Sequence, residues 1–162
     1  METRWQLYHL LVEVNMIYIT SETLNPENIT NTVKRHSNGA VVTFLGVTRN
    51  FSEGRNVLHL EYEAYQPMAQ KTLEQIRAEV KEHWNIDDIA IAHRIGRLDI
   101  GDISLVVAIG SPHRKEALEA SEYAIDRIKQ IVPIWKKEIF EGGEEWLGDE
   151  DKRKEFLQTL PD

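Results

Sequence analysis

Residues 129–140 read KQIVPIWKKEIF, and the fold turns on the proline in their middle. Upstream, Ala117, Ser121, Ala124, Ile125 and Ile128 fall on one face of a helical period that opens after Ser111-Pro112. Pro133 has no amide hydrogen, and its ring clashes with the carbonyl four residues earlier, so the helix cannot continue through it. The residues after it, IWKKEIF, suit a strand. Side chains alternate along a strand, so Lys136 and Lys137 leave opposite faces and at least one ammonium is directed inward. Lys129, one turn after Ile125, stands at the edge of the helix's buried face.

The same logic extends outward. Asn25-Pro26 is a helix start, with asparagine as cap and proline at the first position; this helix is predicted to run to about Ser37, before Gly39. A longer helix starts at Pro67 and reaches about Trp84, with Met68, Leu73, Ile76 and Val80 near helical spacing. Strands are predicted from Met16 (MIYIT) and over AVVTFLGV (40–47), VLHLEYEAY (57–65), DIAIAHRIG (88–96) and ISLVVAIG (103–110). The polar stretch TRNFSEGRN (48–56) reads as a mobile loop, and Gly101 in LDIGD suits a tight turn. Strands and three main helices joined by short loops give an α+β class with an antiparallel sheet. Residues 1–15 read as an N-terminal appendage, 16–147 as one domain and 148–162 as a charged tail, either a solvated helix or frayed.

Composition narrows the chemistry. A chain of 162 residues that is 41% hydrophobic can bury one sizeable core. With no cysteine, disulfides, thiolate metal sites and a cysteine nucleophile are excluded, so any sulfur chemistry must come from a substrate or partner. The net charge of -8 argues against a nucleic-acid surface, which needs a clustered basic face. No apolar run approaches the ~20 residues of a membrane span, and the expected location is the cytoplasm.

Against that acidic background, residues 111–137 hold six Lys or Arg and four acids. Ser111-Pro112-His113-Arg114-Lys115 puts cations at a helix start, where the dipole is already positive. Either an anion sits there, held by free N–H groups with His113 and Arg114, or the side chains point to water and Glu116 and Glu119 neutralise them. A lysine among apolar walls and other cations has its pKa lowered and can exchange protons near neutrality; alternatively its stem packs and its tip snorkels into water. Arg49 follows a buried strand, a usual place for a binding arginine and equally for a solvated one. His59, His83 and His93 lack metal-ligand spacing and read as structural, so no metal is expected. No glycine-rich phosphate loop or GxSxG elbow is present.

GAVVTFLGVTRN (39–50), AHRIGRLDIGD (92–102), SPHR (111–114) and KxxxPxWKKE (129–138), at matching intervals, closely resemble the large, catalytic subunit family of molybdopterin synthase. The likeness covers about residues 39 to 147. It implies an α/β hammerhead fold, a homodimer at the centre of a heterotetramer, and a small ubiquitin-like sulfur-carrier subunit at each end. The implied activity is sulfur transfer. Cyclic pyranopterin monophosphate becomes molybdopterin by receiving two sulfurs from a thiocarboxylate on the carrier's C-terminal Gly-Gly tail, with no permanently bound cofactor.

Carried over residue by residue, the family's pterin and phosphate contacts fall on Val47, Thr48, Arg49, His113, Arg114, Lys136, Lys137 and Glu138. Its key catalytic lysine falls on Lys129, with Lys136 assisting. Relatives can place a further arginine shortly after the tryptophan matching Trp146, where this chain has Leu147-Gly148-Asp149-Glu150. The alternative function is a non-catalytic module that binds a ubiquitin-like carrier tail or a small anion.

Overall fold

The structure is a computed structural model and describes residues 16–147 and 150–159. The predicted appendage, 1–15, lies outside the described residues. In chain order the elements are β1 (Ile17–Thr20), α1 (Pro26–Asn31), β2 (Ala40–Val47), β3 (Phe51–Ser52), β4 (Arg55–Ala64), α2 (Gln66–Trp84), β5 (Ile89–Arg94), β6 (Gly96–Asp99), β7 (Ile103–Ser111), α3 (Arg114–Ile131), β8 (Ile134–Phe140), β9 (Gly143–Leu147) and α4 (Glu150–Gln158).

Two sheets result. The first has the order β1-β5-β7-β2 and places β2 at its edge; the second runs β3-β4-β8-β9, with β6 also paired to β4. The α+β class holds, and all pairs but one are antiparallel: β1 lies parallel to β5, in register from Ile17 opposite Ile91 to Thr20 opposite Arg94. β1 and β5 are far apart in sequence, and the chain between them passes through two helices, so no tight turn dictates their relative direction.

Helices α2 and α3 cover one face of the first sheet. Leu73, Ile76 and Val80 from α2 meet Ala117, Ala120, Ala124 and Ile128 from α3 over Ile91, Val107 and Ile109. Each large apolar side chain buried there contributes roughly 1.5 to 3 kcal/mol. The opposite face packs Ala90, Ala92, Val106 and Ala108 against Leu24, Ile29 and Val33, around α1. At the outer edge Val41, Leu45 and Val47 remain 36%, 40% and 50% exposed.

Pro133 does what its chemistry requires. Val132 leaves helical geometry at φ -78° and ψ 126°, Pro133 O accepts from Tyr65 N, and β8 begins at once. Four local expectations are corrected. The first helix ends at Asn31 rather than near Ser37: Thr32 Oγ1 donates to Ile29 O, and the next amides bond three residues back in tighter turns. TRNFSEGRN is ordered into the β3–β4 hairpin, with Glu53 and Gly54 at φ 48° and 78°, the left-handed pair that a two-residue hairpin turn needs. The first two residues of LDIGD, Leu98 and Asp99, end a further strand, β6, and EGGEEWL supplies β9. Of the two readings of the charged tail, the helical one holds: it carries α4, whose Arg153 guanidinium stacks 3.8 Å over the Trp146 ring and pairs with Glu63 at 2.5 Å.

Candidate active site

The register of β4 against β8 sorts the basic segment. Tyr62 lies opposite Lys136, Glu61 opposite Lys137 and Leu60 opposite Glu138, so Lys136 and Glu138 share a sheet face and Lys137 is on the other. On that second face the Lys137 Nζ is 2.9 Å from Glu61 Oε2, 3.6 Å from Glu144 Oε2 and 5.5 Å above the Trp146 ring. The Glu61 contact raises the pKa of its ammonium. Two carboxylates therefore hold Lys137 away from the group around Lys136.

Lys136 has the opposite surroundings. Burial of its amine lowers its pKa first, and the nearby charges of Arg49 and Lys129 lower it further, while Glu138 raises it. Three cations thus converge from three elements: Arg49 just beyond β2, Lys129 in the last turn of α3, and Lys136 in β8. Their local counter-charge, Glu138, is 2% exposed. Its Oε1 lies 3.4 Å from Arg55 Nη2, which also reaches Glu145 Oε2 at 2.7 Å, and the Arg55 guanidinium sits 4.0 Å over the Phe140 ring. The sequence gives little sign of Arg55 as part of this arrangement; the one clue is its place immediately after the turn glycine, Gly54.

The approach to this group is built by Thr48. Its N–H donates to Asp102 O at 3.0 Å, and its carbonyl accepts from Gly101 N at 2.9 Å. Thr48 is 3% exposed and its hydroxyl oxygen has no partner, whereas Val47 and Arg49 on either side are exposed.

His113 and Arg114 are elsewhere. His113 is the N-cap of α3 without a side-chain capping bond, and Arg114 opens the helix whose last turn holds Lys129. At 1.5 Å per residue those ends are roughly 22 Å apart, too far for one small anion to span within a single chain. His113 instead borders a cavity of about 330 Å³ with Trp84, Asp88, Ser111 and Glu116. A second cavity, of about 290 Å³, lies between Tyr65, Ile95, Trp135 and Leu157. Neither is lined by Lys136. Among the described residues no cluster of His, Asp or Glu is placed to hold a metal ion.

The chain's arrangement therefore offers two cationic half-sites. One surrounds a half-buried amine able to release its proton closer to neutrality than an ordinary lysine. The other is a helix N-terminus with an imidazole and a guanidinium. Both suit anions.

A profile of the MoaE protein family matches residues 19–131. The chain belongs to this family. It is 52% identical over 144 residues to the molybdopterin synthase catalytic subunit of Bacillus subtilis, covering 89% of this chain and 92% of that one. The corresponding subunit of Staphylococcus carnosus is 51% identical over 130 residues, 80% of this chain and 87% of the relative. Among solved structures, molybdopterin synthase from Staphylococcus aureus superposes with a TM-score of 0.80 at 47% identity, over 84% of this chain and 99% of that chain.

Proposed function

We propose that this chain is the catalytic subunit of a molybdopterin synthase, converting cyclic pyranopterin monophosphate to molybdopterin with two sulfurs from a carrier's C-terminal thiocarboxylate. The observation that carries the reading is the position of Lys136, a half-buried amine flanked by Arg49 and Lys129 in a family member without a cysteine of its own. The sulfur is delivered by the partner, and this subunit contributes charge, proton exchange and a pocket. Each sulfur replaces an oxygen substituent on a pterin side-chain carbon, that oxygen departing with a proton, and water then cleaves the acyl–sulfur bond to leave a thiolate on the pterin and a carboxylate on the carrier. The clustered cations stabilise the negative charge that develops. Lys129 and Lys136 serve as the acid and base groups, and Arg49 orients the phosphate. Val47, Thr48 and Glu138 shape and balance the pocket around them.

The partner in this reading is a small ubiquitin-like carrier whose extended Gly-Gly tail enters toward Lys129. Glycine allows a backbone to pass a narrow channel, and the terminal anion is drawn to the cations. The proposal includes a cytoplasmic location.

It also includes a homodimer, which accounts for His113 and Arg114. β2 is an eight-residue edge strand, about 24 Å long at ~3.4 Å per residue, with no neighbour on its outer side among the described residues. Its Ala40 end pairs with Ser111, just before α3, and its Val47 end leads to Arg49. An antiparallel pairing of β2 with β2 of a second copy sets the partner's Ala40 end, and with it a second His113 and Arg114, beside this copy's Arg49 and Lys129. The length of β2 matches the gap between the half-sites. Burial of Val41, Leu45 and Val47 favours the pairing.

The deciding experiment mixes the purified chain with thiocarboxylated carrier and cyclic pterin and measures dithiolene formation. Turnover that disappears when Lys129 or Lys136 is replaced is the expected result. Carrier binding without turnover by the unaltered chain leaves a docking module instead.

A further inference from the structure

The segment AHRIGRLDIGD (92–102) contains no residue assigned to the reaction, yet the structure joins it to the anion site. β2 and β7 lose register between Gly46 and Val47, where Gly46 faces Leu105 and Val47 faces Ile103, leaving Ser104 without a partner strand position. Beyond that slip the sheet ladder no longer fixes the chain that leads to Arg49. The turn after β6 takes over.

That turn is closed twice. Asp102 N donates to Asp99 O at 2.9 Å, and Asp99 N donates to the Asp102 carboxylate, Oδ2, also at 2.9 Å. Gly101 takes φ 87°, a conformation in which a side chain is strained. The same carboxylate oxygen lies 3.5 Å from Arg94 Nη1, and the Arg94 side chain is only 16% exposed. The closed turn presents one acceptor and one donor, Asp102 O and Gly101 N, which capture both main-chain groups of Thr48. On the far side, Asn50 O accepts from Val57 N at 2.9 Å. Arg49 is the single residue between these two anchors.

We propose that Asp102 is a positioning residue for the anion site: by closing the 99–102 turn it holds Thr48 and thereby fixes Arg49 beside Lys136. It touches no substrate and acts through Arg49. The inference rests on the proposed function for the reaction served, but its geometry does not depend on which anion binds.

The test reads the Lys136 amine directly, with neither carrier nor pterin present. Competitive acylation by acetic anhydride across pH 7 to 11, followed by peptide mass spectrometry, gives the pH at which Lys136 becomes reactive. Besides Arg49, the charges facing this amine are Lys129 and Glu138, which all variants retain. Arg49→Ala removes a neighbouring cation, and the midpoint for Lys136 is expected to rise by roughly half a pH unit or more. Asp102→Ala is expected to produce the same rise, and the double variant no further rise, because both changes act through one guanidinium. Gly101→Ala disturbs the same turn from another atom and serves if Asp102→Ala does not fold.

With thermal unfolding as a parallel measurement, a turn that matters only for stability lowers the melting temperature and leaves the Lys136 midpoint unmoved. That result overturns the proposal, as does a double variant whose shift is the sum of the two, or an Arg49→Ala chain with no shift at all. In the full enzyme, Asp102→Ala is expected to raise KM for the cyclic pterin about tenfold with a smaller change in kcat. Absence of dithiolene formation by the unaltered enzyme would defeat the functional reading while leaving the acylation result intact.

Discussion

Lys136 and Lys137 are neighbours in sequence on opposite faces of the second sheet: the first is beside Arg49 and Lys129, the second is ion-paired 2.9 Å from Glu61. Alanine at the two positions should therefore have unequal effects. Lys136→Ala is expected to lower single-turnover dithiolene formation by about 10²-fold, the usual scale of lost acid–base catalysis, and Lys136→Arg to restore little because guanidinium does not deprotonate. Lys137→Ala should change turnover by less than about threefold, since its pairs with Glu61 and Glu144 lie on the sheet face turned away from Lys136.

Lys129 provides a second comparison. Its replacement by alanine is expected to reduce turnover by at least ~10²-fold with carrier binding retained. Arginine at this position separates two roles: recovery of much of the rate indicates charge alone, and failure to recover indicates proton exchange. Near-normal rates with alanine would leave Lys129 as a snorkelling residue at the end of α3.

Half-sites from two copies predict complementation. Arg114→Ala and Lys136→Ala, each inactive alone, are mixed under conditions that exchange subunits. Half of the dimers become hybrids, and each hybrid has one intact site, so about a quarter of the unaltered turnover returns. No recovery on mixing would mean that one chain supplies all its own contacts. In parallel, Leu45→Asp in the exposed row of β2 should yield a monomer by light scattering.

His93 makes stability depend on pH. It is 6% exposed, and burial pushes its imidazole from the usual 6.5 down to about 4. Above pH 6.5 neither state is charged and the residue has no effect. Between 6.5 and about 4 the unfolded chain binds a proton that the folded chain refuses, so stability falls as pH falls through that window, by on the order of 3 kcal/mol at most. Urea unfolding of His93→Gln should show a flatter profile across that window.

A lower window belongs to the clamp between α2 and α3. The Arg127 guanidinium reaches both Glu79 oxygens at 2.8 and 2.9 Å, and the Tyr123 hydroxyl donates to the same carboxylate at 2.8 Å. Arg127, the larger cause, with Tyr123, holds the Glu79 pKa at about 2 against the usual 4.5. The stabilisation is complete above pH 4.5 and is lost as pH falls toward 2. Glu79→Gln should lower stability by roughly 1 to 2 kcal/mol at neutral pH and remove this part of the acid transition. An unchanged melting temperature at pH 7 would count against the clamp.

Much of this architecture is legible in the residues. Pro133 ends a helix for covalent reasons, and the strand at 40–47 follows from its apolar run, so neither depends on tertiary context. The separation of Lys136 from Lys137 follows from strand alternation alone. What escapes is set by contacts distant in sequence. TRNFSEGRN looks like a loop because a two-residue strand has no period to detect, and α1 is cut short by Thr32, whose hydroxyl competes for a helix carbonyl. Arg55 joins the site only because β4 and β9 both flank β8, bringing it to Glu138 and Glu145. The distance between His113 and Lys129 was readable in principle from the length of α3, but a grouping by chemical type ignores it.

Trp146 has Lys137 5.5 Å from its ring and Arg153 stacked at 3.8 Å. An indole between two cations is a natural optical gauge, because its emission responds to the field across the ring and to the access of water. When α4 is in place, Arg153 shields that ring; when it lifts, one cation leaves and solvent arrives. In a chain whose other three tryptophans, Trp5, Trp84 and Trp135, are replaced by phenylalanine, the fluorescence of Trp146 thus reports the seating of the C-terminal helix continuously, with no dye attached, on the sheet face turned away from Lys136.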